Sequence, residues 1–141
     1  MTINTNFKHS ELTEIIIQTF HEVYRELGYG FAEVVYRNSL QVALLQKGLE
    51  AKTEVPISVR FRGAVVGDFK ADLVVNKCVL LELKAADGIV AAHEAQLLNY
   101  LRSTSLEVGL ILNFGPKPQV RRLIFENSRK QAHTFAAGES L

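Results

Sequence analysis

The sequence is short of several features that would each point to a class of protein. Cys78 is the only cysteine among the 141 residues, which excludes an internal disulfide and argues against a zinc–thiolate cluster. The formal net charge is only +1, which argues against a strongly basic, non-specific nucleic-acid binder but not against a compact site for a few phosphates. The longest apolar runs, such as CVLLEL and VGLILNF, are too short to cross a bilayer. The polar first ten residues carry no secretory signal, so we expect a cytoplasmic protein with no membrane partner.

The composition that is present suits one folded domain, since 48% of the residues are hydrophobic. We expect this domain to span residues 1–141, with a core from about 10 to 126 and a frayed tail over 127–141. Helical spacing predicts three helices, over SELTEIIIQTFHEVYRELG, over Ala32 to Lys47 and over VAAHEAQLLNYLRS. Alternation and apolar runs predict six strands: one from Thr53, one after a turn in RGAVVG, and ADLVV, CVLLELK, EVGLILNF and QVRRLIFEN.

The predicted order of elements is therefore α-α-β-β-β-β-α-β-β. A helix between CVLLELK and EVGLILNF implies a right-handed crossover, which makes those two strands parallel neighbours in one sheet. EVGLILNF is almost continuously apolar, as is typical of a strand covered on both faces. The fold class is therefore α/β (α+β), with a mixed central sheet flanked by helices.

Three charged residues interrupt the most apolar part of this sheet. Asp72 begins one strand, and Glu82 and Lys84 lie inside the next. Because side chains alternate along a strand, Glu82 and Lys84 share one face. The ordinary explanation of such a pair is a salt bridge on a solvent-facing surface. If that face is buried instead, an unpaired charge would cost several kcal/mol, so the charges would need partners.

The length of the turn between the two strands decides whether Asp72 and Glu82 meet. A strict two-residue turn at Asn76 and Lys77 would point them to opposite faces of the sheet. A three-residue loop that includes Cys78, or one bulge, would place them directly opposite each other. Opposed like charges destabilise a sheet, and a divalent cation between them would turn that repulsion into binding energy.

These residues resemble the pattern P-D-x(n)-(D/E)-x-K of a nuclease superfamily, the PD-(D/E)XK nucleases, with Ala71 in place of the proline. GFAEVVY, from Gly30 to Tyr36, fits the pattern G-x-x-E-x-x-Y that names one group of small proteins in that superfamily. FKADLVV, LLELKA, HEAQLLNYL and GLILNFG resemble further blocks of the group in the same order, so that the resemblance covers roughly residues 10–125. It implies a restriction-endonuclease-like core.

The resemblance also implies a metal site. One or two Mg²⁺ or Mn²⁺ ions would be held by Asp72, Glu82, Glu33 and the backbone carbonyl of Leu83, with Lys84 orienting water or stabilising negative charge. Helical spacing places Glu33 on one stripe with Tyr36, and we expect that stripe to face the core. The alternative for Glu33 is an acid that only complements the helix dipole, worth ~0.5 kcal/mol.

The third helix carries His93, Gln96 and Tyr100 on one face. Gln96 and Tyr100 form a Q-x-x-x-Y pair that resembles the third motif of RecB-like exonucleases, in which the pair lies beside the site. Gln96 would orient water or a phosphate, and Tyr100 would support the site or contact a nucleotide. The alternative is an ordinary half-buried helix, and His93 is the weakest candidate. Asn113, at the end of the next strand, either reaches the site or begins the turn.

Together these residues predict a metal-dependent nuclease that hydrolyses phosphodiester bonds in DNA, with RNA as the less favoured substrate. The alternative is a non-catalytic module that keeps the nuclease fold and binds nucleic acid or a partner protein. Such a small domain would need a homodimer or a partner protein to enclose a duplex.

Overall fold

The computed structural model describes residues 8–131, which include three helices and five strands. The helices are α1 (Ser10–Leu27), α2 (Glu33–Gln46) and α3 (Ala91–Arg102). The strands are β1 (Ala51–Phe61), β2 (Ala64–Val75), β3 (Val79–Lys84), β4 (Val108–Phe114) and β5 (Pro118–Ile124). A short 3-10 turn, Asn127–Arg129, lies within the predicted tail, and residues 132–141 of that tail fall outside the described residues.

The five strands form one mixed sheet in the order β1-β2-β3-β4-β5. Neighbouring strands are antiparallel except β3 and β4, which are parallel and are connected through α3. The structure therefore confirms the mixed sheet flanked by helices and the parallel pair. None of the helices within residues 8–131 has the length and apolar character needed to span a membrane.

The predicted number of strands was wrong by one. No turn follows Gly67, because β2 runs without interruption from Ala64 to Val75, and the order is α-α-β-β-β-α-β-β. The physical reason is the length of β1, which extends to Phe61 and offers a hydrogen-bonding partner along all of β2. Asp68 and Lys70, which separate RGAVVG from ADLVV, are exposed on this long hairpin.

The sheet buries two apolar layers. The layer under α1 and α2 includes Leu81 and Leu83, whereas the layer under α3 includes Leu80 and Ile111. All seven residues of β4 are buried, as its apolar sequence predicts for a central strand covered on both faces. Because residues alternate along β3, Glu82 lies on the α3 side of the sheet with Leu80.

The β1–β2 hairpin changes face near Glu54 and Asp72. Ala51 packs into the layer under α1 and α2, but Val55 and Ile57 pack into the layer under α3. Residues an even number apart would keep the same face on a regular strand. Glu54, between them, has a φ of 52°, in the left-handed region that non-glycine residues rarely adopt. The outer half of the hairpin is thereby turned toward α3.

Gly115 lets two backbone segments meet just beyond β4. A Cβ atom at this position would lie 2.0 Å from the carbonyl oxygen of Ala86, in the chain that follows β3. Because that obstacle is backbone, it cannot rotate aside as a side chain can. A residue larger than glycine would therefore push the segment after Lys84 away from β4.

We expect Gly115→Ala to lower the free energy of unfolding by about 1–3 kcal/mol, the range for overpacking of a tight interior. Urea denaturation followed by circular dichroism would measure it. Gly88→Ala is the matched control, because its added Cβ would meet only Gln119 Oε1, at an ordinary 3.6 Å. Equal stabilities of the two variants would contradict the expected clash.

Candidate active site

The turn between β2 and β3 has three residues, Asn76 to Cys78. Val75 pairs with Val79 and Leu73 with Leu81, and the same register sets Asp72 opposite Glu82. The structure thus confirms the odd-length loop. Asn76 and Lys77 have φ values of 51° and 56°, which give the tight reversal its left-handed backbone.

The two strands separate just beyond Leu73 and Leu81, the last pair of their ladder. Side chains take over the hydrogen bonding at this fork. The backbone amide of Leu83 donates to Asp72 Oδ2 at 2.7 Å, and the amide of Asp72 donates to Glu82 Oε1 at 3.4 Å. Each carboxylate is therefore anchored through one oxygen to the backbone of the neighbouring strand.

Glu82 is buried, with only 5% of its surface exposed, which excludes the solvent-facing salt bridge considered from the sequence. Burial raises the pKa of Glu82 to about 8, and the negative charge of Asp72 and a hydrogen bond between the two carboxyl groups add to the rise. A backbone hydrogen bond from Asp72 and the positive charge of Lys84 oppose this rise in pKa. The pair is thus a strongly coupled acidic centre within the sheet.

Lys84 is half-buried at the end of β3, beside Asn113 of the parallel β4. The buried Asn113 side chain accepts a hydrogen bond from Ala86 N (3.0 Å) and donates to Ala86 O (3.0 Å) and Gln119 Oε1 (3.2 Å). Asn113 therefore fixes the chain that leaves Lys84. The sequence analysis left open whether Asn113 reaches the site or begins the turn, and these contacts favour the role in the turn.

Helix α3 brings Tyr100 near the acidic pair and places Gln96 next to Tyr100. Gln96 Nε2 donates to Tyr100 Oη at 3.1 Å, as expected for a pair on one helical face. Burial raises the pKa of the largely buried Tyr100, and the charges of Glu82 and Asp72 raise it further, so the hydroxyl lies within their electrostatic reach. His93 is instead a helix cap, because its Nδ1 accepts a hydrogen bond from the amide of Val90.

The expectation that Glu33 faces the core was wrong. Glu33 is the first residue of α2 and is exposed, and the buried stripe of this helix begins with Tyr36. The Tyr36 hydroxyl donates to Gly28 O (2.6 Å) and accepts from the amide of Phe31 (3.2 Å), while its ring stacks on Phe114 at 4.3 Å. Tyr36 thus anchors the loop between α1 and α2, and these contacts assign it no position beside Asp72.

Glu33 is also not gathered with the other two carboxylates. Within residues 8–131, no group of three or more His, Cys, Asp or Glu side chains is arranged to hold a metal ion together. The carboxylates that the fold itself brings together are Asp72 and Glu82.

The family model of the PD-(D/E)XK nuclease superfamily matches residues 10–123, which is most of the chain and contains the whole fork. The chain belongs to this superfamily. No significant match was found among curated proteins or among solved structures.

In this member of the PD-(D/E)XK superfamily, two supporting residues escaped the sequence analysis. Gln119 Oε1 accepts from the amide of Ile89 (3.1 Å) as well as from Asn113, and so helps to hold the segment after Lys84. Glu54 lies opposite Asp72 in the register of β1 and β2 and carries the left-handed backbone. The Glu54 carboxylate itself pairs with Arg37 of α2 at 3.1 Å. Neither residue belongs to the superfamily pattern, and their places follow from the register of the strand pairs β1–β2 and β4–β5.

The pKa of Glu82 predicts an unusual pH dependence of stability for the nuclease-superfamily fold without metal. Between about 4.3, the ordinary pKa of glutamate, and about 8, the folded chain holds a proton that the unfolded chain has lost. The contribution of Glu82 to stability is therefore complete below that window and is lost as the pH rises through it. Urea denaturation in EDTA at several pH values should show this fall, and Glu82→Gln should flatten it.

Glu26→Gln is the control, since Glu26 is an exposed glutamate on α1, on the other side of the sheet. This variant should keep the pH dependence of the wild-type protein. An unchanged profile in Glu82→Gln would show that Glu82 titrates normally in the folded protein.

Proposed function

We propose that the protein is a metal-dependent nuclease that hydrolyses phosphodiester bonds in DNA, with RNA as the less favoured substrate. The observation that carries this proposal is the mutually repelling pair of the buried Glu82 and the half-buried Asp72, with Lys84 two residues further along β3. A fold gains nothing in stability from two carboxylates opposed at low exposure, so a ligand is the natural reason for the pair. Membership of the nuclease superfamily supports the same reaction.

The donor set fits Mg²⁺ or Mn²⁺, which prefer hard oxygen ligands. Asp72, Glu82 and the backbone carbonyl of Leu83 would hold the ion, and Glu33 is the further ligand that the resemblance proposes. The carboxylates are already oriented by backbone amides, so binding would cost them little conformational entropy. The ion would neutralise the developing charge on the phosphate and stabilise the leaving oxygen.

The remaining steps are assigned to side chains of this chain. Water attacks the phosphorus, the bond to the leaving oxygen breaks, and that oxygen is released as a hydroxyl group. The Lys84 ammonium would orient the water and stabilise the negative charge that builds up on the phosphate oxygens. Gln96, joined to Tyr100, would orient the water or a phosphate oxygen from α3.

We further propose that the chain belongs to the G-x-x-E-x-x-Y group within the superfamily, on the strength of Gly30, Glu33 and Tyr36. The contacts of Tyr36 with Gly28 and Phe31 give the tyrosine of that motif a structural role. Gly30 has a φ of 114°, which suits glycine in the same loop.

Cleavage assays test the reaction. Linear and circular DNA, single- and double-stranded, and RNA would be incubated with Mg²⁺, Mn²⁺ or EDTA. We expect metal-dependent cleavage that EDTA abolishes, that Asp72→Asn and Glu82→Gln remove, and that Lys84→Ala slows by about 10²–10³, as for loss of one charge-stabilising donor.

Lys52→Ala is the matched control for Lys84→Ala. Lys52 forms an exposed pair with Glu50 near the opposite end of β3, so its loss should leave the rate unchanged. Cleavage that persists in EDTA or in both Glu82→Gln and Lys84→Ala would sink the proposed mechanism. Binding without any cleavage would favour the alternative of a non-catalytic module.

Calorimetric titration with Mn²⁺ provides a separate test of the metal site. Because burial keeps Glu82 protonated below about pH 8, metal and proton should compete, and the apparent affinity should weaken as the pH falls. Asp72→Asn should abolish binding. Glu33→Gln should weaken it if Glu33 is a ligand, whereas an unchanged affinity would leave Glu33 with its helix-dipole role alone.

A further inference from the structure

A groove of about 990 Å³ lies between the outer half of the β1–β2 hairpin, α3 and the segment after β5. It is large, at the upper end of the roughly 300–1,000 Å³ typical of ligand sites. Gln96 and Tyr100 line it, and Tyr100 is within electrostatic reach of Glu82 and Asp72. Tyr100 therefore connects the groove with the proposed catalytic centre.

The charged side chains that line the groove within the described part of the chain are all cationic. Within residues 8–131, no aspartate or glutamate lines the groove, whereas five lysine and arginine residues do: Arg60, Arg62, Arg102, Arg129 and Lys130. The net charge of +1 thus hides a strongly cationic surface. Such a concentration of positive charge suits a polyanion that lies along the groove.

The walls of the groove also carry aromatic rings. Phe61 is 59% exposed and Phe69 is 46% exposed, although large apolar side chains of this kind are normally buried. The guanidinium of Arg62 lies 4.9 Å from the centre of the Phe61 ring, and those of Arg102 and Arg129 lie 5.8 and 5.2 Å from that of Phe125. Rings and cations therefore alternate along one surface.

This alternation of rings and cations indicates which kind of polyanion fits the groove. An acidic peptide or a duplex would use the cations but offers no exposed aromatic faces to the phenylalanines. Unpaired bases do, and stacking of a base on an aromatic side chain is worth about 1–3 kcal/mol. The ring of Phe69 also lies 5.8 Å from that of Tyr100, which continues the row of rings toward the acidic pair.

We propose that this groove binds a single-stranded stretch of polynucleotide and leads it to the Asp72–Glu82 pair. The inference deepens the proposed function and rests on it, because it names the form of the substrate. A single strand also removes the need for a homodimer or partner protein to enclose a duplex.

The segment after β5 forms one wall because Lys130 fastens it. The Lys130 ammonium donates to Thr104 O (2.8 Å) and Leu106 O (2.7 Å), at the loop that follows α3. We therefore assign Lys130 to positioning this wall, and the exposed Arg62, Arg102 and Arg129 to the phosphates.

Fluorescence anisotropy tests the inference on the full chain in EDTA, where cleavage is suppressed. The probes are labelled oligodeoxythymidine and oligouridine of about 12 nucleotides, within the site sizes of single-strand binding folds, and a duplex of the same length. We expect the single strands to bind about tenfold more tightly than the duplex. Phe61→Ala should weaken their binding roughly five- to a hundredfold, the equivalent of one lost stacking contact.

Arg102→Ala should weaken binding and lower the slope of log affinity against log salt by about 0.7, the value for one phosphate contact on a single strand. Arg25→Ala is its control, because each arginine is exposed in the last turn of a helix and Arg25 belongs to α1. Tyr29→Ala is the control for Phe61→Ala, since Tyr29 is 63% exposed and does not line the groove. Neither control should change binding.

Duplex binding as tight as that of single strands, equal displacement by polyglutamate, or unchanged binding in Phe61→Ala would each overturn the inference. Thermal denaturation of the variants would establish that they fold. If single-strand binding depends on Phe61 and Arg102 but no cleavage occurs, the nuclease reaction is refuted and the inference about the groove stands. If cleavage depends on Lys84 but not on Phe61 or Arg102, the nuclease reaction stands and the inference about the groove is refuted.

Discussion

The hydrogen bond from the Leu83 amide to the Asp72 carboxylate holds the sheet at the point where β2 and β3 separate. Beyond it, β2 pairs only with β1, whereas β3 continues beside β4. A buried backbone amide at such a fork needs an acceptor, and here a side chain replaces the missing strand. Asp72, which we propose as a metal ligand, therefore also completes the sheet, so a substitution there would affect stability as well as the proposed activity.

The two faces of the sheet divide the remaining tasks. The face under α1 and α2 is an apolar layer in which Tyr36, stacked on Phe114, holds the loop between α1 and α2, where the G-x-x-E-x-x-Y motif begins. The face under α3 mixes apolar and polar groups and contains Glu82. Turning the outer hairpin toward α3 brings charged and aromatic side chains to the second face. The apolar packing that stabilises the sheet thus lies on one face, and the residues proposed for catalysis and substrate binding lie on the other.

Much of this arrangement could be predicted, because it depends on local periodicity and on one turn. The parallel pair follows from an apolar strand, a helix and a second apolar strand. The meeting of Asp72 and Glu82 was predicted only for an odd-length turn or a bulge, and the structure supplies the three-residue turn. The continuity of β2 did not follow, because it depends on the length of β1, its partner across the sheet. The exposure of Glu33 and the roles of Gln119 and Glu54 likewise depend on contacts between residues distant in sequence, which periodicity does not encode.

The three-residue turn from Asn76 to Cys78 has a consequence for how such a gene can vary. Hairpin loops ordinarily accept the gain or loss of a residue with little harm. Here the insertion or deletion of one residue would exchange the two faces of β3 relative to β2. The Glu82 side chain would then point to the face of the sheet opposite Asp72. Only paired length changes keep the carboxylates together. The turn is therefore under a parity constraint, and its length, more than its composition, should resist evolutionary drift.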